Sequence, residues 1–186
     1  MSKYQNQLAL ALSIYLRLYL LLGVIELTLR KVIPDTLSSG SRKPGNLSWV
    51  EILKRDKFRA REIETLEIGN LGNLTERLSF GFWCRIFVPQ NYSKIWLSGL
   101  YDAFPQLEND KSRQRYIQIC NLFKRASRIR NRVAHFQMDR ENSQKRDEKV
   151  LVELVQLIGA SSFLIEAQRF IEGDTSSVIL IDIQNR

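Results

Sequence analysis

The single histidine of the chain, His135, follows Arg130 by five positions. Imidazole is the side chain that exchanges protons most readily near neutral pH, and guanidinium groups bind phosphate oxygens through paired hydrogen bonds. The cations that surround this pair are Lys124, Arg125, Arg128 and Arg132. A proton-transfer group among phosphate-binding cations predicts chemistry on a phosphodiester.

A helix is predicted over 110–136, and its periodicity separates the two residues. At about 100° per residue, the apolar side chains of this helix form one arc, and Arg130 falls within that arc. A buried arginine costs several kcal/mol of desolvation unless it is paired, so we expect an acidic partner and choose Glu26. His135 falls on the basic face of the same helix.

Asn131 precedes His135 by about one helical turn, so its side chain can hydrogen-bond the imidazole and fix its tautomer. Each assignment has a plainer alternative. Arg130 could belong to a purely structural ion pair. His135 could be a surface histidine whose cation is favoured by the helix C-terminus, and the neighbouring cations could form a solvated face. Spacing alone leaves these alternatives open.

Composition favours a single basic domain. The 28 lysines and arginines exceed the 20 aspartates and glutamates, which gives a formal net charge of +8. Such a balance favours a polyanionic partner, nucleic acid before an anionic membrane surface, although basic charge can also serve solubility alone. With 186 residues the chain can bury one core, so we predict a single domain over 1–186.

The two cysteines, Cys84 and Cys120, lie inside apolar segments and are expected to be small buried hydrophobes. One histidine and two distant cysteines cannot complete a four-ligand zinc site within one chain, so we expect no metal and no other cofactor. The sparse use of cysteine favours a reducing, cytoplasmic setting.

The elements that must position these residues are predicted to be all-α. A very long first helix covers 3–32 and ends at Pro34. A flexible loop follows over 34–46, either a disordered connection or a lid over a site. Further helices are predicted at 48–57, 60–68, 74–87, 92–104, 110–136 and 147–172. The tail 173–186 is expected to be extended or β-like.

The apolar segment 8–25 resembles a membrane span or a signal sequence. Arg17 lies in its middle, Glu26 and Arg30 follow it closely, and no small-residue cleavage site ends it. We therefore predict a core helix or a dimer-interface helix, with no membrane partner.

The segment from Arg130 to His135 resembles the R-x4-6-H signature of the HEPN superfamily, all-α proteins that include many metal-independent endoribonucleases. Its form looks most like the Abi-like branch, which is associated with abortive phage infection. Residues 26–30 (ELTLR) and 78–83 (LSFGFW) occur in the order of that branch, so the resemblance covers most of 10–137. The chain departs from the branch after the histidine, where Phe136-Gln137-Met138 replaces a further His or Glu and a Pro.

The resemblance implies a HEPN-like helical bundle that cleaves RNA by attack of the ribose 2′-hydroxyl on the adjacent phosphate. His135 would be the general base or acid, Arg130 would stabilise charge on the phosphoryl oxygens, and Asn131 would orient the imidazole. Glu26 and Arg30 would support the site. The RNA backbone would be held, without sequence readout, by Lys124, Arg125, Arg128 and Arg132.

The resemblance also implies partners. Cleavage through a cyclic phosphate benefits from two proton-transfer groups, and one chain supplies one histidine, so we predict a homodimer with a composite site. The expected role is a toxin or antiphage effector that acts on tRNA or mRNA and is restrained by an antitoxin protein. The main alternative is a catalytically silent module that binds RNA or a protein partner; a membrane-surface protein is the third possibility.

Overall fold

The computed structural model describes residues 3–39, 49–54, 57–67, 74–97, 99–107, 110–137, 141–163, 165 and 169. Every element within these ranges is helical, and none is a strand. The all-α prediction is therefore confirmed for the described part of the chain. The tail 173–186 lies outside it, as does 40–48, the larger part of the loop predicted at 34–46.

The first helix, α1, runs from Lys3 to Ser39 and contains Pro34. The prediction that Pro34 ends the helix is wrong. A proline inside a helix costs about 3 kcal/mol because it removes one N–H donor and crowds the preceding turn. Ile33 and Leu37 are almost completely buried around it, and burial of such side chains, at about 1.5–3 kcal/mol each, offsets that cost.

By length and composition, Ala11–Ser38 of α1 is also apolar enough to cross a membrane, a property shared by core helices of soluble proteins and by signal sequences. One side of the helix is buried against the rest of the domain, with Ile25 and Leu29 at its centre.

Four short helices follow: α2 (Trp49–Lys54), α3 (Lys57–Glu67), α4 (Leu74–Arg77) and α5 (Phe80–Ile86). The helix predicted at 74–87 is therefore two helices. They separate at Ser79, which is extended and whose hydroxyl accepts a hydrogen bond from the backbone N–H of Phe82 at 3.1 Å. A serine in this geometry is an N-cap, so a new helix, α5, begins after Ser79.

The helix predicted at 92–104 is not formed. The chain instead makes short turns of 3₁₀ type at Pro89–Asn91, Leu100–Ala103 and Pro105–Leu107, and one π turn at Tyr92–Trp96. Gly99, with φ of 150°, interrupts the segment, a conformation that side chains larger than hydrogen rarely adopt. Trp96 and Phe104 are fully buried there, so aromatic packing decides the path of the backbone.

The last two helices are α6 (Arg113–Ala134) and α7 (Glu141–Leu157). The helix predicted at 147–172 begins earlier, and α7 ends before Gly159, which has φ of 70°. Helix α7 packs along α1, and α6 packs against α5, α7 and α1. Buried aromatic side chains fill the space beside α6; the largest are Trp83, Trp96, Tyr116, Phe80, Phe82, Phe104 and Phe123. These contacts fix α6, the helix that carries the candidate site.

Candidate functional site

Both ends of α6 are defined by hydrogen bonds. At the start, the Ser112 hydroxyl accepts from the backbone N–H of Arg115 at 3.2 Å, and the Asp110 carboxylate accepts from the N–H of Ser112 at 3.0 Å. Hydrogen bonds from the side chain and backbone of Ser112 lower the pKa of Asp110. At the other end His135 is the C-cap: its backbone N–H still bonds to the Asn131 carbonyl at 3.2 Å, but its own dihedral angles leave the helix.

The chain turns sharply after His135. Phe136 adopts φ of 51°, in the left-handed region, and its ring stacks on Tyr15 of α1 with centroids 5.9 Å apart. A non-glycine residue in this region is uncommon, and the stacking on α1 holds the turn in place. His135 is therefore presented at a defined helix end.

The predicted burial of Arg130 is wrong: its side chain is exposed, like those of Asn131 and His135. The buried residues near the end of α6 are Ile129 and Val133. From Tyr116 to Val133 the buried positions recur at about 3.4 residues per turn, so the buried stripe rotates around a helix of 3.6 residues per turn. A straight helical wheel follows the first half of α6 and misplaces the second.

The predicted pair between Glu26 and Arg130 is not formed. The Glu26 carboxylate accepts a hydrogen bond at 2.6 Å from Arg30, one turn further along α1, and Arg30 also donates to the carbonyl of Leu78 at 3.3 Å. Glu26 and Arg30 thus join α1 to the start of α5.

The inward-facing cation near the end of α6 is Arg132, whose guanidinium forms an ion pair with Asp147 of α7. The two side chains retain 29% and 16% of their exposure, so the pair is largely shielded from water. Sequence reasoning placed Arg132 on the RNA-binding face and missed Asp147. The pairing leaves Arg132 less available to a phosphate than its exposed neighbours.

The predicted hydrogen bond between Asn131 and His135 is not formed by these side chains in the described structure. Asn131 still lies about one turn before His135, on the same side of α6. Arg130 lies about 140° around the helix from His135, since the two residues are five positions apart at about 100° per position. One protomer therefore presents Arg130 and His135 towards different directions.

Four of the predicted residues form a single line, here called the α6 stripe: Lys124, Arg128, Asn131 and His135. Their spacing of four, three and four residues keeps them within an arc of about 60°, and all four are exposed. Arg125 is also exposed but lies about 60° outside this arc. The stripe is the part of the predicted site that the structure brings together.

A groove adjoins the stripe and was not foreseen. This basic groove lies between α5, residues 87–90 and α6, and has a volume of about 500 Å³. Lys124 and Arg128 line it on α6 and Arg85 lines it on α5. Ile117 also lines the groove. It is an apolar residue two turns before Lys124 on the same helical face, and this spacing was the signal in the sequence that could have indicated the groove.

Both cysteines line the basic groove and are reduced. Burial raises the pKa of the Cys84 thiol, and the nearby Glu26 carboxylate raises it further. Burial also raises the pKa of Cys120, to about 11. Both thiols are therefore protonated at neutral pH and are poor nucleophiles.

Across the described ranges, no group of three or more histidine, cysteine, aspartate or glutamate side chains could hold a metal ion. Comparisons of the chain with protein-family models, with curated proteins and with solved structures found no match.

Proposed function

We propose that this protein is a metal-independent endoribonuclease that cleaves RNA by attack of the 2′-hydroxyl on the adjacent phosphate. The observation that carries the proposal is the α6 stripe: the only imidazole of the chain stands exposed at a helix end, in line with Lys124 and Arg128. The resemblance of this helix end to the HEPN signature supports the same reading. The chemistry needs a proton-transfer group beside bound phosphates, and the stripe supplies both.

In this proposal His135 removes the proton of the 2′-hydroxyl or protonates the leaving 5′-oxygen. Arg130 stabilises the charge that develops on the phosphoryl oxygens. Asn131, about one helical turn before His135, orients the imidazole when RNA is bound. Lys124 and Arg128 hold the RNA backbone, with Arg125 beside them.

The proposed site is shared by two protomers. Arg130 and His135 of one α6 point about 140° apart, so a single protomer does not direct both at one phosphate. A two-fold homodimer with the two α6 ends facing one cleft would supply two imidazoles and two guanidiniums. The proposed setting is a cytoplasmic toxin or antiphage effector that acts on tRNA or mRNA, with an antitoxin protein as restraint.

The second candidate is a catalytically silent module that binds RNA or a protein partner. It is favoured by the same divergence of Arg130 and His135, and by the lack of a hydrogen bond between Asn131 and His135 in the described structure. A module of this kind would use the stripe for binding alone.

A cleavage assay in EDTA separates the two candidates. Wild-type protein is incubated with tRNA and mRNA beside His135→Ala and Arg130→Ala, with Lys149→Ala as a control that removes an exposed cation of α7. We expect rate losses of about 10²–10⁴ for His135→Ala and about 10²–10³ for Arg130→Ala, with an unchanged Tm. Absence of cleavage by the wild type would favour the binding module.

A further inference from the structure

The basic groove has the size and the lining of a ligand site. Its volume of about 500 Å³ falls within the range of about 300–1,000 Å³ that is usual for such sites. Its apolar lining comprises Cys84, Phe87, Val88, Pro89, Ile117 and Cys120. Within the described residues no acidic side chain lines it.

The walls of the groove are fixed before any ligand arrives. The hydroxyl of Tyr116 donates to the carbonyl of Val88 at 2.9 Å, and the side-chain amide of Asn91 donates to the carbonyl of Ile86 at 2.9 Å. Phe87 stacks on Phe123 of α6 with centroids 3.8 Å apart. A wall held in this way loses little entropy on binding, which favours affinity.

The charges of the groove are not equivalent. Arg85 forms an ion pair with Glu62 at 2.6 Å, so its charge is largely compensated. Lys124 and Arg128 are exposed, one helical turn apart, and form no ion pair with the described residues. These two side chains are the free cations of the groove, and they belong to the α6 stripe.

Apolar surface of the basic groove remains open to solvent beside these two cations. Ile117 on α6 is 39% exposed, and Pro89 opposite it is also exposed. A ligand that matches both features carries flat apolar groups and closely spaced negative charges. An unpaired RNA strand has this chemistry, because its bases offer faces for stacking or apolar contact and its phosphates repeat along the backbone.

Building on the function proposed above, we propose that the basic groove binds an unpaired segment of the RNA substrate. Its bases lie against Ile117 and Pro89, and its phosphates contact Lys124 and Arg128. The strand then continues along the α6 stripe to His135, about 10 Å beyond Arg128 along the helix axis. Paired RNA is disfavoured, since the base faces of a duplex are covered by stacking and cannot reach the groove.

The test measures binding by fluorescence anisotropy in the His135→Ala background, which keeps the RNA intact. A short single-stranded RNA, a duplex of equal length and ATP are compared. The groove variant Lys124→Gln/Arg128→Gln is matched by Arg61→Gln/Lys149→Gln, which removes one exposed arginine and one exposed lysine from α3 and α7.

We expect the groove variant to bind the single strand at least tenfold more weakly than the matched control. The slope of log K against log salt should fall by about 1.4, since each phosphate contact of a single strand contributes about 0.7. Ile117→Ser should weaken binding without changing that slope. Should the double groove variant fail to fold, the two single variants give the same comparison, each with a slope change of about 0.7.

Equal losses in the groove variant and the matched control would overturn the proposal, because binding would then depend on net charge alone. Duplex binding as tight as that of the single strand, or ATP competing at equal affinity, would also overturn it. The two proposals fail separately. If the wild type binds the strand through the groove but does not cut it, the proposed nuclease function is wrong and the proposed groove stands. If the groove variant cleaves RNA as fast as the wild type, the proposed groove is wrong and the nuclease function stands.

Discussion

At the scale of single residues, the cations near the end of α6 differ in whether an acidic side chain pairs with them. Arg132 is tied to Asp147, whereas Arg130 and the stripe residues Lys124 and Arg128 are exposed. We therefore propose that Arg132 is mainly structural and that the stripe binds phosphate.

The first prediction concerns this ion pair. Asp147→Asn leaves the guanidinium of Arg132 partly shielded and without its counter-charge, so we expect a loss of about 1–3 kcal/mol in the free energy of unfolding. Glu148→Gln is the matched control on the same helix: its partner Arg17 is 50% exposed, and such pairs contribute about 0–1 kcal/mol. Urea denaturation of both variants measures the difference. Equal losses would contradict the assignment.

The second prediction concerns Cys120, whose pKa burial raises to about 11. At pH 8 only about a thousandth of this thiol is ionised, so iodoacetamide should alkylate the native protein far more slowly than the unfolded one. The unfolded thiol ionises near its usual pKa and the native thiol does not, so stability should fall as pH rises from about 9 towards about 11. Cys120→Ala should reduce this fall. Rapid alkylation of the native protein at pH 8 would show that the thiol is accessible.

At the scale of elements, the sequence predicted correctly those helices whose apolar periodicity extends over many consecutive turns. Helices α1 and α6 carry apolar side chains over many turns, and both were predicted. The segment 92–104 failed because contacts of Trp96 and Phe104 with distant residues, and not local propensity, shape its turns. Arg130 was misplaced for a related reason: the neighbours of α6 change along its length, and a wheel with a fixed period cannot represent that.

The turn after α7 carries the third prediction. A Cβ on Gly159 would lie 2.9 Å from Cγ of Pro105, and the φ of 70° disfavours any side chain. Gly159→Ala should therefore destabilise the protein by about 1–3 kcal/mol. The same change in a Pro105→Ala background should cost less, because only the backbone strain remains. Thermal melting of the four proteins of this cycle gives the coupling, and purely additive effects would contradict the close approach.

At the scale of the whole molecule, α1 presents apolar side chains on its outer side as well as its inner side. Four large apolar side chains recur at helical spacing along this outer face and are 49–68% exposed: Leu12, Leu16, Tyr19 and Leu27. We propose that the homodimer forms through this outer face. Phe136, 74% exposed, lies beside Tyr15 at its edge.

The fourth prediction is that this face joins two protomers. Leu16→Glu/Tyr19→Glu should give a monomer in light scattering and should lower the cleavage rate, since each proposed site needs two α6 ends. Phe163→Glu is the control, an equally exposed apolar residue outside α1. Full activity of a monomeric variant would contradict the composite site. Recovery of the wild type in the membrane fraction would assign the outer face to lipid instead.

We propose above that His135 transfers protons in a cleavage driven by the 2′-hydroxyl. The most direct measurement is end-group analysis of single-stranded RNA incubated with the wild type and with His135→Ala in EDTA. We expect 5′-hydroxyl and 2′,3′-cyclic phosphate ends from the wild type and almost none from the variant. Uncut RNA with the wild type, or equal cutting by both proteins, would contradict it.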